Sequence, residues 1–189
     1  MMDMGTNELP KRKRTRLAEY DYSTPGAYFL TICTHEKRCI LSDIHVGEGL
    51  APPAVVLTEV GEIAQAQLLA LAERFPRLRL DKYAVMPNHV HILLTLMPCD
   101  NTGGASPSPT VIDVVRAYKS ITTRLARPYL SDSALWQRSF HDHVVRGEAD
   151  HLEIWNYIDG NPAKWTEDCF YPSCPAAVNP HPISREVNI

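Results

Sequence analysis

The chain has 189 residues, of which 44% are hydrophobic and 22% are charged. This length allows one compact domain with a substantial core, and the composition excludes a wholly disordered protein. The formal net charge of −3 excludes a protein that is basic over its whole surface, although a local basic strip is enough to contact phosphates.

No apolar run reaches the roughly 20 residues that a membrane-spanning helix needs, so no membrane partner is expected. The basic run at residues 11–16 is followed by Leu17, Ala18, Glu19 and Tyr20. A secretory signal would continue with an apolar segment instead. The sequence therefore predicts a cytoplasmic protein.

The N-terminal part of the chain carries the first elements. Residues 1–20 are polar and basic without hydrophobic periodicity, and we expect them to form a flexible arm. After a turn at 22–26, residues 27–34 are rich in strand formers and predict a buried strand. Residues 42–56 contain two glycines and two prolines, and they predict an irregular connection.

The middle of the chain alternates helices and strands. Thr58 is a good cap for a helix over 59–74, because its hydroxyl can accept a bond from the first turn. Residues 77–85 and 90–96 predict two strands, and the Pro87-Asn88 turn between them predicts a hairpin. A loop at 98–109 then precedes a helix at 111–127 with an apolar stripe that includes Tyr118.

The last elements are a strand at 140–145 and a helix at 148–159, which the Gly-Asn-Pro run at 160–162 ends. This order predicts an α+β fold of ferredoxin-like plan, an antiparallel sheet with helices packed on it and a further C-terminal helix. We expect residues 21–168 to form this domain and residues 169–189 to be an irregular tail.

His89 and His91 are the central candidate residues for chemistry. Alternate residues of a strand point to the same face, so the two imidazoles should project together. Two imidazoles on a rigid strand can share one divalent ion. A pair of histidines by itself is a weak motif, but histidine within an apolar strand is costly unless it is paired or ligated.

Four segments carry a resemblance to a known family. Residues 86–94, Met-Pro-Asn-His-Val-His-Ile-Leu-Leu, resemble the HUH motif of single-tyrosine transposases, which include the REP-associated tyrosine transposases. Residues 25–31 resemble the first strand of that family, and residues 136–143 resemble its "WQR…DH" strand. Residues 155–162 resemble its tyrosine helix, and the Asn-Pro ending favours the REP-associated branch.

The resemblance implies metal-dependent cleavage and rejoining of single-stranded DNA through a 5′-phosphotyrosine. His89, His91 and a third polar ligand would hold Mg²⁺ or Mn²⁺. Tyr157, on the last helix, is the implied nucleophile, and Asn161, one turn later, is a candidate for the third ligand. The implied partner is single-stranded or hairpin DNA, and the protein would act as a monomer or a homodimer.

Phe140 departs from the family pattern, because some REP-associated members carry a tyrosine in this segment. Because phenylalanine cannot attack phosphorus, the nucleophile would be Tyr157. The alternative is that the chain is a domesticated DNA-binding protein of the same fold without catalytic activity. A third alternative is an RNA-binding module with a ferredoxin-like fold. Such modules expose aromatic side chains on their central strands, where this chain presents His89 and His91.

Basic residues outside the motif are candidates for contacts to DNA phosphates. The alternative for each is a solvated surface charge. These candidates are Lys11, Arg12, Lys13, Arg14, Arg116, Lys119, Arg124, Arg138 and Arg146. His141 and His143 also alternate on a predicted strand. They would orient the metal ligands, contact DNA or supply the third metal ligand, and the alternative is that they form a polar face of the sheet.

Overall fold

The described part of the chain contains the predicted strands and helices in the predicted order, together with short elements that the sequence did not indicate. The computed structural model describes residues 20–45, 53–98, 109–131, 134–171 and 186–187. The strands are β1 Gly26–Cys33, β2 Ser42–His45, β3 Ala54–Leu57, β4 Leu78–Met86, β5 His89–Leu96, β6 His141–Val144 and β7 Glu186–Val187. The helices are α1 Glu59–Leu69, α2 Leu71–Arg74, α3 Val111–Ala126 and α4 Gly147–Gly160, with 3₁₀ turns at His35–Lys37, Arg127–Tyr129 and Pro162–Glu167.

The main sheet has four strands in the order β4-β5-β1-β6, and all neighbouring strands are antiparallel. Each of the two crossovers, through α1 and through α3, skips one strand position, which is the ferredoxin-like arrangement. The predicted hairpin is confirmed, since Met86 pairs with His89 across the Pro87-Asn88 turn. The predicted α+β fold is therefore confirmed.

The two faces of this sheet are covered by different helices. One face carries Leu30, Ile32 and Ile92, which share a buried core with residues of α1 and α3. The other face carries Ala84, Met86 and Leu93, which pack with Ile154 and Ile158 of α4. Strands β1 and β5 are largely buried on both faces, which explains why most of their residues are apolar.

The irregular connection predicted at 42–56 is wrong for its described residues. Strands β2 and β3 pair antiparallel, and β7 pairs with β3 to complete a three-stranded sheet. Each strand has at most four residues, which is too short for a clear alternation in the sequence. Val55 and Leu57 are nonetheless buried in the main core, so tertiary packing decides the conformation here.

The predicted helix at 59–74 is divided into α1 and α2 at Ala70. Thr58 caps α1 as predicted, because its hydroxyl oxygen accepts a hydrogen bond from the amide of Gly61 at 3.1 Å. The same hydroxyl donates to the carbonyl of Ile40 at 2.6 Å. Among the described residues, no helix is long and apolar enough to cross a membrane.

Gly61 lies where α1 approaches the backbone that leads into β2. A Cβ atom at this position would lie 1.8 Å from the carbonyl oxygen of Leu41, so Gly61→Ala must push α1 away from that backbone. We expect the substitution to lower the free energy of unfolding by about 3 kcal/mol, as overpacking in a core does. Urea denaturation measures this as a lower midpoint at an unchanged m-value.

Gly160→Ala is the matched control, because a Cβ at Gly160 would meet nothing within 4 Å. Its midpoint should stay close to that of the parent chain. Equal midpoints for the two variants would contradict the close packing of α1 at Gly61 against the backbone of Leu41.

Candidate active site

The two histidines of the central motif begin β5, on the sheet face that α4 covers. Their side chains are buried, at 0% exposure for His89 and 1% for His91. The two Nε2 atoms lie 2.9 Å apart. The convergence expected from strand geometry is therefore confirmed. The role of the two histidines as metal ligands stays a prediction.

The other ring nitrogen of His89 is oriented by Asn88. The amide nitrogen of Asn88 donates to the carbonyls of Lys37 at 3.3 Å and of Phe170 at 3.2 Å. This leaves the amide oxygen facing Nδ1 of His89 at 2.8 Å. Because an amide oxygen only accepts, Nδ1 carries the proton and Nε2 presents its lone pair.

His91 is oriented by a hydroxyl in the same way. Its Nδ1 lies 2.9 Å from Oγ1 of Thr31, the residue directly opposite on β1. A hydroxyl can donate or accept, so this contact is compatible with a proton on either nitrogen of His91. With the proton on Nε2, His91 donates to Nε2 of His89 across the 2.9 Å between them. With the proton on Nδ1, both Nε2 lone pairs are available to one cation.

Both imidazoles are neutral at neutral pH. Burial lowers the pKa of His91 to about 3. Burial lowers the pKa of His89 well below its usual range too, and the nearby His91 and Lys37 lower it further. Neutral imidazole is the form that binds metal ions.

Asp168 joins the two histidines from the segment that follows α4. Its Oδ2 lies 4.0 Å from Nε2 of His89, and its side chain is only 3% exposed. The amide of Phe170 donates to Oδ1 at 2.7 Å. One ligand atom from each of His89, His91 and Asp168 lies within 4.8 Å of the others.

These distances fit one divalent ion with modest adjustment. Metal–ligand bonds of about 2.1 Å place neighbouring ligand atoms about 3 Å apart and opposite ones about 4.2 Å apart. The two Nε2 atoms match the first separation, at 2.9 Å. The His89–Asp168 separation of 4.0 Å is close to the second. Asp168 lies outside every motif of the sequence and is not among the predicted ligands.

Asn161, the third ligand expected from the resemblance, lies beside this group and is 4% exposed. Its amide nitrogen donates to Oδ2 of Asp168 at 3.3 Å. Its Oδ1 is buried and has no hydrogen-bond partner among the described residues. Asn161 therefore orients Asp168 and has a free oxygen, while its role as a ligand stays a prediction.

Tyr157 lies over the histidine pair. Its hydroxyl is 3.4 Å from Nε2 of His91, and its ring meets those of His91 and Phe29 edge to face. Ile154 and Ile158 are buried against the sheet, which sets the rotation of α4 and directs Tyr157 at His91. Burial raises the pKa of Tyr157, as does the charge of Asp168, while a hydrogen bond with Asn161 lowers it.

A solvent-open cavity of about 320 Å³ adjoins Tyr157. Its walls include Tyr157, Asn161 and Asp168, and its rim includes Lys164. Tyr157 is therefore accessible from solvent. The side chain of Tyr157 is itself 45% exposed.

Phe140 belongs to the main core, with 5% exposure. That core lies on the sheet face opposite to Tyr157, so the side chain at position 140 is directed away from the histidine pair. Trp136 is also buried, and its indole nitrogen donates to the hydroxyl of Thr122 at 2.7 Å. Tyr118 is 1% exposed, which confirms core packing.

His141 and His143 lie on the edge strand β6 and are exposed. His141 is directly opposite Thr31, so it shares the sheet face of His91. His143 pairs with the carboxylate of Asp150 at 2.9 Å. Neither belongs to the three-residue group that could hold a metal.

The residues predicted to contact DNA separate into groups. Lys119, Arg124 and Arg138 line one cavity between α3 and the segment before β6. Arg116 is exposed on α3 and pairs with Asp113 at 2.9 Å, and Arg146 is exposed just before α4. The four predicted residues of the N-terminal arm, Lys11 to Arg14, lie outside the described residues.

Asn88 gives a direct test of the site, because its side-chain oxygen contacts Nδ1 of His89 at 2.8 Å. Asn88→Ala removes the acceptor for Nδ1 of His89 and should weaken Mn²⁺ binding by about 10- to 100-fold, the usual effect of losing such a partner. Isothermal titration calorimetry measures the Kd. Asn156→Ala, an exposed residue of α4, is the control; equal Kd values for both variants would contradict the assignment.

Comparisons with known proteins agree with this fold. No family model matches the chain. An uncharacterised protein of Haemophilus influenzae is 29% identical over 173 residues, covering 85% of this chain and 93% of the relative. A solved structure, a REP-associated tyrosine transposase bound to a REP hairpin, is 20% identical with a TM-score of 0.52, covering 79% of this chain and 74% of that one. The fold that the sequence resemblance implies is therefore confirmed.

Proposed function

We propose that this chain is a single-tyrosine transposase of the REP-associated type, which cleaves and rejoins single-stranded DNA. One observation carries the proposal. The hydroxyl of Tyr157 lies 3.4 Å from Nε2 of His91, within a group of two neutral imidazoles and Asp168 that fits a divalent ion. A nucleophile and a metal site side by side are what phosphodiester cleavage requires.

Mg²⁺ or Mn²⁺ is the proposed cofactor, held by His89, His91 and Asp168 with Asn161 beside them. When bound, the ion supplies Lewis-acid polarisation of the scissile phosphate and stabilises charge on its oxygens. A donor set with two imidazoles suits Mn²⁺ better than Mg²⁺, because Mg²⁺ prefers oxygen ligands.

Tyr157 is the proposed nucleophile. Its oxygen attacks the phosphorus of a phosphodiester, so that a bond from the tyrosine oxygen to phosphorus forms and the bond to the 3′ oxygen breaks. The phenol loses its proton to solvent, and the departing 3′ oxygen gains one as a free hydroxyl. The 5′-phosphotyrosine conserves the bond energy, so attack by a 3′ hydroxyl rejoins DNA without ATP.

Hairpin DNA is the proposed substrate, since the similar solved structure is a transposase bound to a REP hairpin. The exposed Arg116, Arg124, Arg138 and Arg146, together with the basic residues 11–14, are proposed to contact its phosphates. A DNA substrate also implies a cytoplasmic protein. The proposed active unit is a monomer or a homodimer.

The test is a covalent-adduct assay with the full chain, hairpin oligonucleotides with single-stranded flanks, and Mn²⁺. A 3′-labelled strand should move to the mass of a protein–DNA adduct on a denaturing gel, while a 5′-labelled strand should only shorten. A chelator should abolish both products. Binding without any adduct across varied hairpins would favour a domesticated DNA-binding protein.

A further inference from the structure

A second cavity, of about 470 Å³, opens between the C-terminal half of α3 and residues 134–138. It lies away from Tyr157, on the side of the sheet that carries α3. We propose that this cavity binds the sugar–phosphate backbone of the DNA that flanks the cleaved strand. The inference rests on the proposed function for the identity of the ligand, but its geometry is independent of the metal site.

The lining of this cavity is strongly positive. Four cationic residues line it, Lys119, Arg124, Arg127 and Arg138, and none of its lining residues is acidic. Among the described residues, no ion pair joins Arg124, Arg127 or Arg138 to a carboxylate. Such a local concentration of positive charge in a chain of net charge −3 attracts anions to the cavity.

Helix stability does not account for all of these cations. Arg124 and Arg127 lie at the C-terminal end of α3, where positive charge interacts favourably with the helix dipole. Arg138 belongs to a different segment, so its position is not a consequence of the α3 sequence. Arginines from two separate elements therefore line one cavity. This arrangement suits a ligand whose negative charges are spread along its length.

The wall that carries Arg138 is held by backbone hydrogen bonds. The amide of His35 donates to the carbonyl of Leu135 at 2.8 Å, and the amide of Gln137 donates to that of Cys33 at 2.9 Å. The ammonium of Lys119 donates to the carbonyls of Gln137 and Ser139, each at 2.9 Å. Lys119 thus supports the wall, and Arg138 is presented by preorganised backbone, which reduces the entropic cost of binding.

The floor of the cavity indicates which part of a nucleic acid fits. Leu135 is 1% exposed and Trp136 is 8% exposed, so they form an apolar floor without an open ring face for a base. The exposed arginines around it can contact the phosphates of a strand. Such contacts read the backbone and not the bases.

The cavity also lies at the end of the sheet where the histidines begin. Trp136 forms a β-bridge with Thr34. The amide and hydroxyl of Thr34 donate to the carbonyl of Asn88 at 2.9 and 3.1 Å, and Asn88 orients His89. One wall of the cavity is therefore joined to the residue that orients His89 by the Trp136–Thr34 bridge and the Thr34–Asn88 hydrogen bonds.

The test measures DNA binding separately from cleavage. Arg127→Gln/Arg138→Gln is compared with Arg74→Gln/Arg79→Gln, a pair of exposed arginines outside the cavity that keeps the net charge matched. A fluorescent hairpin oligonucleotide with single-stranded flanks is titrated in EDTA, which prevents metal-dependent reaction, between 50 and 300 mM salt. Anisotropy gives the Kd at each salt concentration, and circular dichroism checks the fold of each variant.

The cavity variant should bind about 10-fold more weakly than the control at 100 mM salt. Its slope of log K against log salt should be shallower by about 1.4 to 1.8, the loss of two phosphate contacts. Equal slopes for the two double variants would overturn the proposal. If the double variant unfolds, Arg138→Gln alone is used, with an expected change in slope of about 0.7 to 0.9.

Two further arms identify the ligand. An RNA hairpin of the same sequence should bind more weakly than the DNA hairpin. If RNA binds more tightly and the cavity variant loses this binding, the ligand of the cavity is RNA and the proposal is overturned. Inorganic phosphate at millimolar concentration should not displace the DNA; full displacement would show a small-anion site instead. If the parent chain forms no covalent adduct but the slope difference is observed, the proposed chemistry fails while the backbone site stands.

Discussion

Tyr157→Phe should abolish the covalent protein–DNA adduct, with a loss of at least about 1,000-fold, because the substitution removes the proposed nucleophile. It removes only the hydroxyl, which lies 3.4 Å from Nε2 of His91. The ring contacts with Phe29 and His91 involve atoms that phenylalanine retains. The fold, the metal affinity and the DNA affinity should therefore change little.

The measurement is a time course of adduct formation with saturating hairpin DNA and Mn²⁺. Tyr171→Phe is the matched control, since Tyr171 is also exposed, packs edge to face on Trp165 and follows Phe170, whose ring contacts His89. The control should retain adduct formation. An adduct that persists in Tyr157→Phe and is lost in Tyr171→Phe would transfer the nucleophile to Tyr171.

The second large effect concerns the metal. Mn²⁺ at about 100 times its Kd should stabilise the folded chain by about 2.7 kcal/mol, which corresponds to an increase in Tm of roughly 5 to 10 °C for a chain of this size. His91→Ala should lose this increase and the adduct together. The physical reason is that the ion binds the folded state, in which the two Nε2 atoms already lie 2.9 Å apart, and not the unfolded chain.

The third ligand can be identified in the same experiment. Asp168→Asn keeps the shape of the side chain and removes its charge, so it should lose most of the Mn²⁺-dependent increase in Tm. Asp150→Asn is the control, because Asp150 pairs with His143 and does not belong to the metal group. If Asn161→Ala loses the increase and Asp168→Asn keeps it, Asn161 is the ligand and the assignment of Asp168 is wrong.

Local patterns explain which elements were predicted correctly from the sequence. The strands β1, β4 and β5 and the helix α3 have long, regular apolar patterns, and their predicted positions agree with the structure to within about two residues. The short strands β2 and β3 have no such pattern. They form because Val55 and Leu57 are buried in the core, which no local window of sequence contains.

The pairing of His89 and His91 was determined by the sequence alone, because the alternation of side chains along a strand is a local property. The approach of Tyr157 to His91, 66 residues away along the chain, was decided only by the tertiary structure. The rotation of α4 depends on the packing of Ile154 and Ile158 against the sheet, and the position of Asp168 depends on how the chain turns back after α4. Burial and long-range packing, which no motif encodes, therefore complete the site that the histidine pair begins.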